Sequence, residues 1–156
     1  DGLEKILKTA KELSSNKLVA IFGCGGNRDR QKRSIMGTIA SRLADEVILT
    51  SDNPRYEDPY AIIGDIVEGV VKNCKVIENR KEAIRYALEN FNHNETIVIA
   101  GKGGEKYQEI KGEKYPYNDF DVVYEYYREK MCLIDNENKQ ESPSQLANCL
   151  DEEERE

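Results

Sequence analysis

Apolar residues follow two alternating rhythms along this chain. Leu3, Ile6, Leu7, Ala10 and Leu13 share one face of a helix over residues 2–14, ended by Ser14-Ser15-Asn16. Leu18–Phe22 is a continuous apolar run closed by glycine, as in a strand buried on both faces. Helical spacing returns over residues 35–43, with Ser34 placed to cap it. Residues 47–50 read as a second strand. Asp58-Pro59 then opens a helix, with a carboxylate cap and proline at the first helical position. Ile62, Ile63, Ile66, Val67, Val70 and Val71 carry its apolar face. Residues 75–78 form a short strand. Asn79 and Glu82 make a capping box ahead of Ala83, Ile84, Ala87, Leu88 and Phe91. Residues 96–100 are another apolar strand, and residues 107–117 alternate around Lys111-Gly112-Glu113 as a hairpin. Asn118 and Asp121 begin a last helix, with Phe120, Val123, Tyr124, Tyr127 and Met131 expected in the core. Beyond Cys132 the period stops.

Strands alternating with helices predict an α/β fold: a mostly parallel sheet, helices on both faces in three αβα layers, and a C-terminal hairpin. Sites in such sheets form at the carboxyl ends of strands. Three polar loops fall there, over residues 23–33, 52–58 and 101–105.

Composition narrows the picture. The 156 residues suffice for one domain with a real core. No apolar run approaches the ~18 residues of a membrane span, and residues 1–17 lack a secretory pattern. A cytoplasmic location without membrane partners is expected. The chain has no initiating Met and starts inside a helical pattern, which points to a processed chain or a fragment of a longer one. Of the net charge of −7, most lies in residues 133–156, where eight acids face two bases. The expected organisation is a domain over 1–132 and an acidic flexible tail over 133–156. Arg28, Arg30, Lys32 and Arg33 against Asp29 form a positive patch, a candidate anion site too short to indicate nucleic acid. Cys24, Cys74, Cys132 and Cys149 are too scattered for zinc, so reduced thiols are expected. Cys24 fits a small residue in a tight turn. His93 lies in a polar stretch as a loop residue, so histidine-dependent catalysis is not expected.

Gly23-x-Gly25 follows a strand, but the third glycine of a dinucleotide fingerprint falls on Arg28. Residues 101–104 lack the spacing of a G-x-x-x-x-G-K-[ST] phosphate loop. What remains is a rim of cations, Asp52, Asn53, Glu105 and glycine backbone. In Asp52-Asn53-Pro54-Arg55 the proline fixes its own φ and biases Asn53 towards an extended conformation. Amide and guanidinium are therefore presented from a restricted backbone. A guanidinium grips carboxylates, and a carboxylate grips amines. A rim with both suits a zwitterion such as an amino acid.

Four motifs occur in order: Phe22-Gly23-Cys24-Gly25-Gly26-Asn27-Arg28-Asp29-Arg30-x-Lys32-Arg33, Ala44-Asp45, Asp52-Asn53-Pro54-Arg55-x-Glu57-Asp58-Pro59, and Ala100-Gly101-Lys102-Gly103-Gly104-Glu105-x-Tyr107-Gln108. Together they resemble the C-terminal domain of the Mur ligase family over residues 1–131, and within it the diaminopimelate-adding members. The resemblance implies a Rossmann-like fold and a role in peptidoglycan precursor synthesis. The implied activity is that of an ATP-dependent acid–amino-acid ligase. It would phosphorylate the D-glutamyl carboxylate of UDP-N-acetylmuramoyl-L-alanyl-D-glutamate and join meso-diaminopimelate to the acyl phosphate. ATP and Mg2+ would be held by the full-length enzyme and not by this fragment, which is expected to be inactive alone. Its partners would be the amino acid, the UDP-linked dipeptide, and the N-terminal and central domains.

By position, the resemblance places Arg28, Asp52, Asn53, Pro54, Arg55, the Gly101 backbone and Glu105 around the amino acid. It places no catalytic residue and no metal ligand in this chain. Arg55 would meet the second carboxylate of diaminopimelate, which lysine lacks. The chain departs from the family pattern at Gly104, where His is usual, at Asn27 (often Asp) and at Gln31 (often Gly). Two other readings stay open: a related ligase adding lysine or lanthionine, and a non-catalytic module binding a partner through the rim.

Overall fold

The computed structural model describes residues 2–91 and 94–150, with side chains through Glu137. In chain order the elements are α1 (Gly2–Leu13), β1 (Leu18–Phe22), α2 (Gln31–Leu43), β2 (Glu46–Leu49), α3 (Pro59–Val67), β3 (Lys75–Val76), α4 (Arg80–Asn90), β4 (Thr96–Ile99), β5 (Tyr107–Ile110), β6 (Glu113–Pro116) and α5 (Asp119–Leu150). Four strands form a parallel sheet in the order β3-β2-β1-β4, with Ala20 of β1 aligned with Val47 and Val98. Strands β5 and β6 form a separate antiparallel hairpin. Lys111 and Gly112 at its tip have φ of 52° and 80°, as a two-residue turn with both central residues left-handed requires. The α/β architecture expected from the alternating pattern is the one observed.

Strand β1 is central and buried at every position. One face of the sheet, with Leu18, Ala20, Phe22, Val47 and Leu49, packs with Leu3 and Leu7 of α1, Ala40 of α2 and the isoleucines of α3. On the other, α4 packs against β1 and buries Ala83, Ile84, Ala87 and Leu88. Asp58 accepts from the Tyr60 N–H and Asn79 from the Glu82 N–H, so both expected caps are formed.

Several local expectations are corrected. Helix α2 begins at Gln31, before the apolar period does, and the Asp29 carboxylate accepts its first N–H at 3.0 Å. Ser34 lies inside the helix. Helix α3 stops at Val67 instead of running to Val71. The chain turns at Glu68-Gly69 to meet α2, where a Cβ on Gly69 would lie 1.7 Å from the Ser34 carbonyl oxygen. In α1, Ile6 and Leu13 are exposed although they share the apolar stripe of Leu3 and Leu7. In α5, Phe120, Tyr124, Tyr127 and Met131 are exposed, while Asp119 and Val122 are buried. The rotation is set by Asp119, which turns inward to meet Arg80.

The helical backbone of α5 continues to Leu150, past the point where the apolar period ends. Its Glu, Lys, Gln, Leu and Ala are residues that favour helix. The chain divides into two compact units inside this helix, after Val123. His93 and residues 151–156 of the expected tail lie outside the described residues. Among the described residues no helix is long and apolar enough to cross a membrane.

Candidate functional site

The loops after β1, β2 and β4 meet at the carboxyl edge of the sheet. The first lies directly on the second. A Cβ on Gly23 would sit 2.2 Å from the Thr50 carbonyl oxygen, and one on Gly26 only 1.9 Å from that of Pro54. Gly26 N–H donates to the Asn53 carbonyl at 2.8 Å. Ser51 anchors the second loop from behind, through its N–H to the Glu78 carbonyl and its hydroxyl to the Glu78 carboxylate. Pro54 is buried and contributes backbone: its carbonyl accepts from the Glu57 N–H.

Asn53 ties the second loop to the third. Its side chain is buried, donating through Nδ2 to Glu105 Oε2 at 3.1 Å. Its Oδ1 accepts from Lys102 Nζ at 2.7 Å and from the Glu109 N–H at 2.9 Å. The Lys102 ammonium is buried as well. It donates to Glu105 Oε2 at 3.2 Å and to the Tyr107 carbonyl at 3.0 Å, and lies 3.4 Å from Asp52 Oδ1. Burial works against ionisation of Glu105, but hydrogen bonds from Asn53 and Lys102 outweigh it and hold its pKa below the usual carboxylate value. Gly101 has φ of +112°, and a Cβ there would lie 2.8 Å from Asp52 Oδ2. Glycine thus serves both the backbone turn and access to that oxygen.

Arg55 has φ of +53°, unusual for a residue with a side chain. Backbone pairing to the hairpin maintains it: Arg55 N–H donates to the Glu109 carbonyl and Lys111 N–H to the Arg55 carbonyl. Its Nη1 donates to the Gly26 carbonyl at 2.8 Å, which joins the first two loops to the hairpin.

The positive patch of the first loop separates into two pairs. Arg30 and Arg33 are consumed internally. Arg33, 1% exposed, binds Glu57 and Asp65, and Arg30 binds Asp65. Arg28 and Lys32 instead line a cavity of about 470 Å3, together with Arg33, Met36, Asp52 and Gly101. The anion-binding capacity expected of four cations therefore rests on two. Cys24 is buried beside Met36, its Sγ 3.5 Å from the thioether sulfur, and burial pushes its thiol up to about 12. It is a packing residue at neutral pH.

A clasp beneath the rim holds the loops together. Buried Arg80 donates from Nε and Nη2 to the two oxygens of Asp119, both at 2.8 Å, and from Nη2 to the Ala100 carbonyl at 2.9 Å. Tyr117 donates its hydroxyl to Asp119, and burial is the main cause of its raised pKa.

Of the residues expected around the amino acid, Arg28, Asp52 and Gly101 line the cavity, whereas Asn53, Pro54, Arg55 and Glu105 belong to the adjoining loop network and do not line it. Asn53 and Pro54 contribute as buried framework. Lys102, Glu109 and Arg80 were not singled out from the sequence, and Arg33 was read only as part of the positive patch. The signal for Lys102 was a lone lysine directly behind an apolar strand, a position where a buried cation needs acceptors. Among the described residues no three His, Cys, Asp or Glu gather as metal ligands, and Lys102 already engages both rim carboxylates.

A parallel sheet with a ligand-sized, mixed-charge cavity at its carboxyl edge defines a Rossmann-like α/β domain. The chain belongs to the Mur ligase family: the family profile described as "Mur ligase, glutamate ligase domain" matches residues 1–103. It is 50% identical over 127 residues to the UDP-N-acetylmuramoyl-L-alanyl-D-glutamate–2,6-diaminopimelate ligase of Aquifex aeolicus, covering 80% of this chain and 26% of that protein. The Clostridium botulinum ligase of the same name is 48% identical over 130 residues, covering 83% and 27%. A solved structure of a ligase of that name superposes with a TM-score of 0.79 at 43% identity, covering 84% of this chain and 28% of that one. The chain spans about a quarter of the length of these relatives.

Proposed function

We propose that residues 1–132 are the amino-acid-binding domain of a cytoplasmic ligase that adds meso-diaminopimelate to UDP-N-acetylmuramoyl-L-alanyl-D-glutamate, with residues 133–156 an acidic appendage. The observation that carries this reading is that Arg28, Asp52 and Gly101 line one cavity, while Asp52 is tied through Lys102 to Glu105, which Arg55 faces electrostatically. Diaminopimelate bears an ammonium and a carboxylate at each end. Asp52 and Glu105 take one ammonium, and Arg55 takes the carboxylate beside it. Arg28 and Lys32 attract the remaining carboxylate. Holding one end by three groups leaves the other amine to react, and orients it. The names of the relatives support the same substrate.

ATP and Mg2+ would supply phosphoryl transfer in the full-length enzyme, from segments outside this chain. The role of these residues is confined to selecting and orienting the amine. A full-length protein containing this chain is expected to join diaminopimelate to the UDP-linked dipeptide, to use lanthionine as a competitor, and to discriminate strongly against lysine. The 156-residue chain alone is expected to show no turnover. Equal use of lysine and diaminopimelate would overturn the reading, as would turnover by the chain alone.

A further inference from the structure

We infer that Lys102 is a positioning residue that sets the geometry and charge of an ammonium seat formed by Asp52 and Glu105, so that the seat accepts a single ammonium. This rests on the amino-acid-binding reading above. The ammonium of Lys102 binds one oxygen of each carboxylate, Asp52 Oδ1 and Glu105 Oε2, along with Asn53 Oδ1 and the Tyr107 carbonyl. It lies at the hub of the rim and is 2% exposed. The second oxygen of each carboxylate, Asp52 Oδ2 and Glu105 Oε1, takes no hydrogen bond among the described residues. Gly101 leaves Asp52 Oδ2 uncovered, because any side chain there would start 2.8 Å from it.

The charge is equally specific. Two carboxylates around one buried cation leave one negative charge, which one ligand ammonium neutralises. Arg55 also faces Glu105, but it is balanced by Glu109. Without Lys102 the two carboxylates would repel each other, and Glu105 would lose one of the groups that hold its pKa down. Asn53 Oδ1 would keep only the Glu109 N–H as donor, which weakens the hold that presents Nδ2 to Glu105. Lys102 therefore acts through Asp52 and Glu105 without touching the ligand.

The test is Lys102→Met in the full-length ligase, with circular dichroism as the check on folding. Lys102→Gln serves in its place if the Met variant does not fold. The expected result is a rise of about tenfold in KM for diaminopimelate, equivalent to about 1.4 kcal/mol, with kcat within about threefold. The acid limb of the kcat/KM profile should move to higher pH as Glu105 loses its cation. Combined with Glu105→Gln, the penalty should be far less than the product of the two single effects, because both remove the same seat. Multiplicative penalties would overturn the assignment, as would a KM unchanged within about twofold. Turnover by the unaltered enzyme tests the amino-acid reading by itself, so a silent Lys102 variant counts against Lys102 alone.

Discussion

Arg55 and Glu109 hold one another twice, by backbone and by side chain. The Arg55 N–H donates to the Glu109 carbonyl at 3.0 Å, and Arg55 Nε donates to Glu109 Oε2 at 3.2 Å. Nη1 is taken by Gly26, while Nη2 makes no hydrogen bond among the described residues. One edge of the guanidinium is thus fixed and the other is offered. Arg55→Ala should weaken use of diaminopimelate by about 2 kcal/mol or more in kcat/KM, the scale of losing a partner to a charged group. Arg55→Lys should restore little, since an ammonium cannot reproduce a fork held by Glu109 and Gly26 with one edge offered. Steady-state kinetics of the full-length ligase decide the matter, and a change under about threefold in Arg55→Ala would remove Arg55 from the site.

The layers, the strand order of events along the chain and the meeting of three loops were legible because period and turn chemistry are local. Asp58-Pro59, Asn79 with Glu82, and Lys111-Gly112 each specify a cap or a turn by themselves. What was missed depends on pairing across distance. Arg33 read as one cation in a surface patch, yet Glu57 and Asp65 bury it. Phe120 and Tyr124 read as core, yet the Arg80–Asp119 pair rotates α5 so that they face outward. Asn53 read as a ligand contact, and the structure adds that its amide also ties Lys102, Glu105 and Glu109 together. A buried polar pair leaves no periodic trace in one sequence.

The two glycine loops should respond oppositely to added side chains. Gly26→Ala places a methyl group 1.9 Å from a backbone oxygen, so the first two loops must separate. A loss of about 1–3 kcal/mol is expected, at the scale of overpacking, along with loss of amino-acid binding. At Gly104 an added Cβ meets nothing within 4 Å, and its φ is not in the left-handed range. Gly104→His, the residue usual in the family, should leave the melting temperature unchanged within about 2 °C. Thermal denaturation of both variants distinguishes these outcomes, and equal losses would mean the first loop does not rest on Pro54 as described.

Arg80 and Asp119 form the buried ion pair beneath the rim, and breaking it from one side strands the other charge. Arg80→Met should destabilise the domain by about 3–5 kcal/mol. Adding Asp119→Asn should recover part of that loss, because the orphaned carboxylate is removed. Urea titration of Arg80→Met, Asp119→Asn and the double variant measures both effects. A double variant as unstable as the sum of the two single ones would show that the pair does not act as a unit.

Acid should loosen the first loop through Glu57 and Asp65. Hydrogen bonds from Arg33 and then from the Asn27 N–H hold Glu57 below the usual carboxylate range, and those from Arg30 and Arg33 do the same for Asp65. A carboxyl with a lower pKa folded than unfolded binds fewer protons in the folded state as pH falls. Its stabilising effect is complete above the unfolded values, about 4.3 for Glu and 3.9 for Asp, and is lost as pH drops through the lower folded values. The urea midpoint should therefore hold steady from neutral pH to about pH 5 and fall steeply below about pH 4. Glu57→Gln should start lower at neutral pH and fall less steeply, because a protonated Glu57 resembles Gln. The two curves should converge once pH falls below the lowered folded value of Glu57, and curves that stayed parallel throughout would assign the acid sensitivity to groups outside the Arg33 cluster.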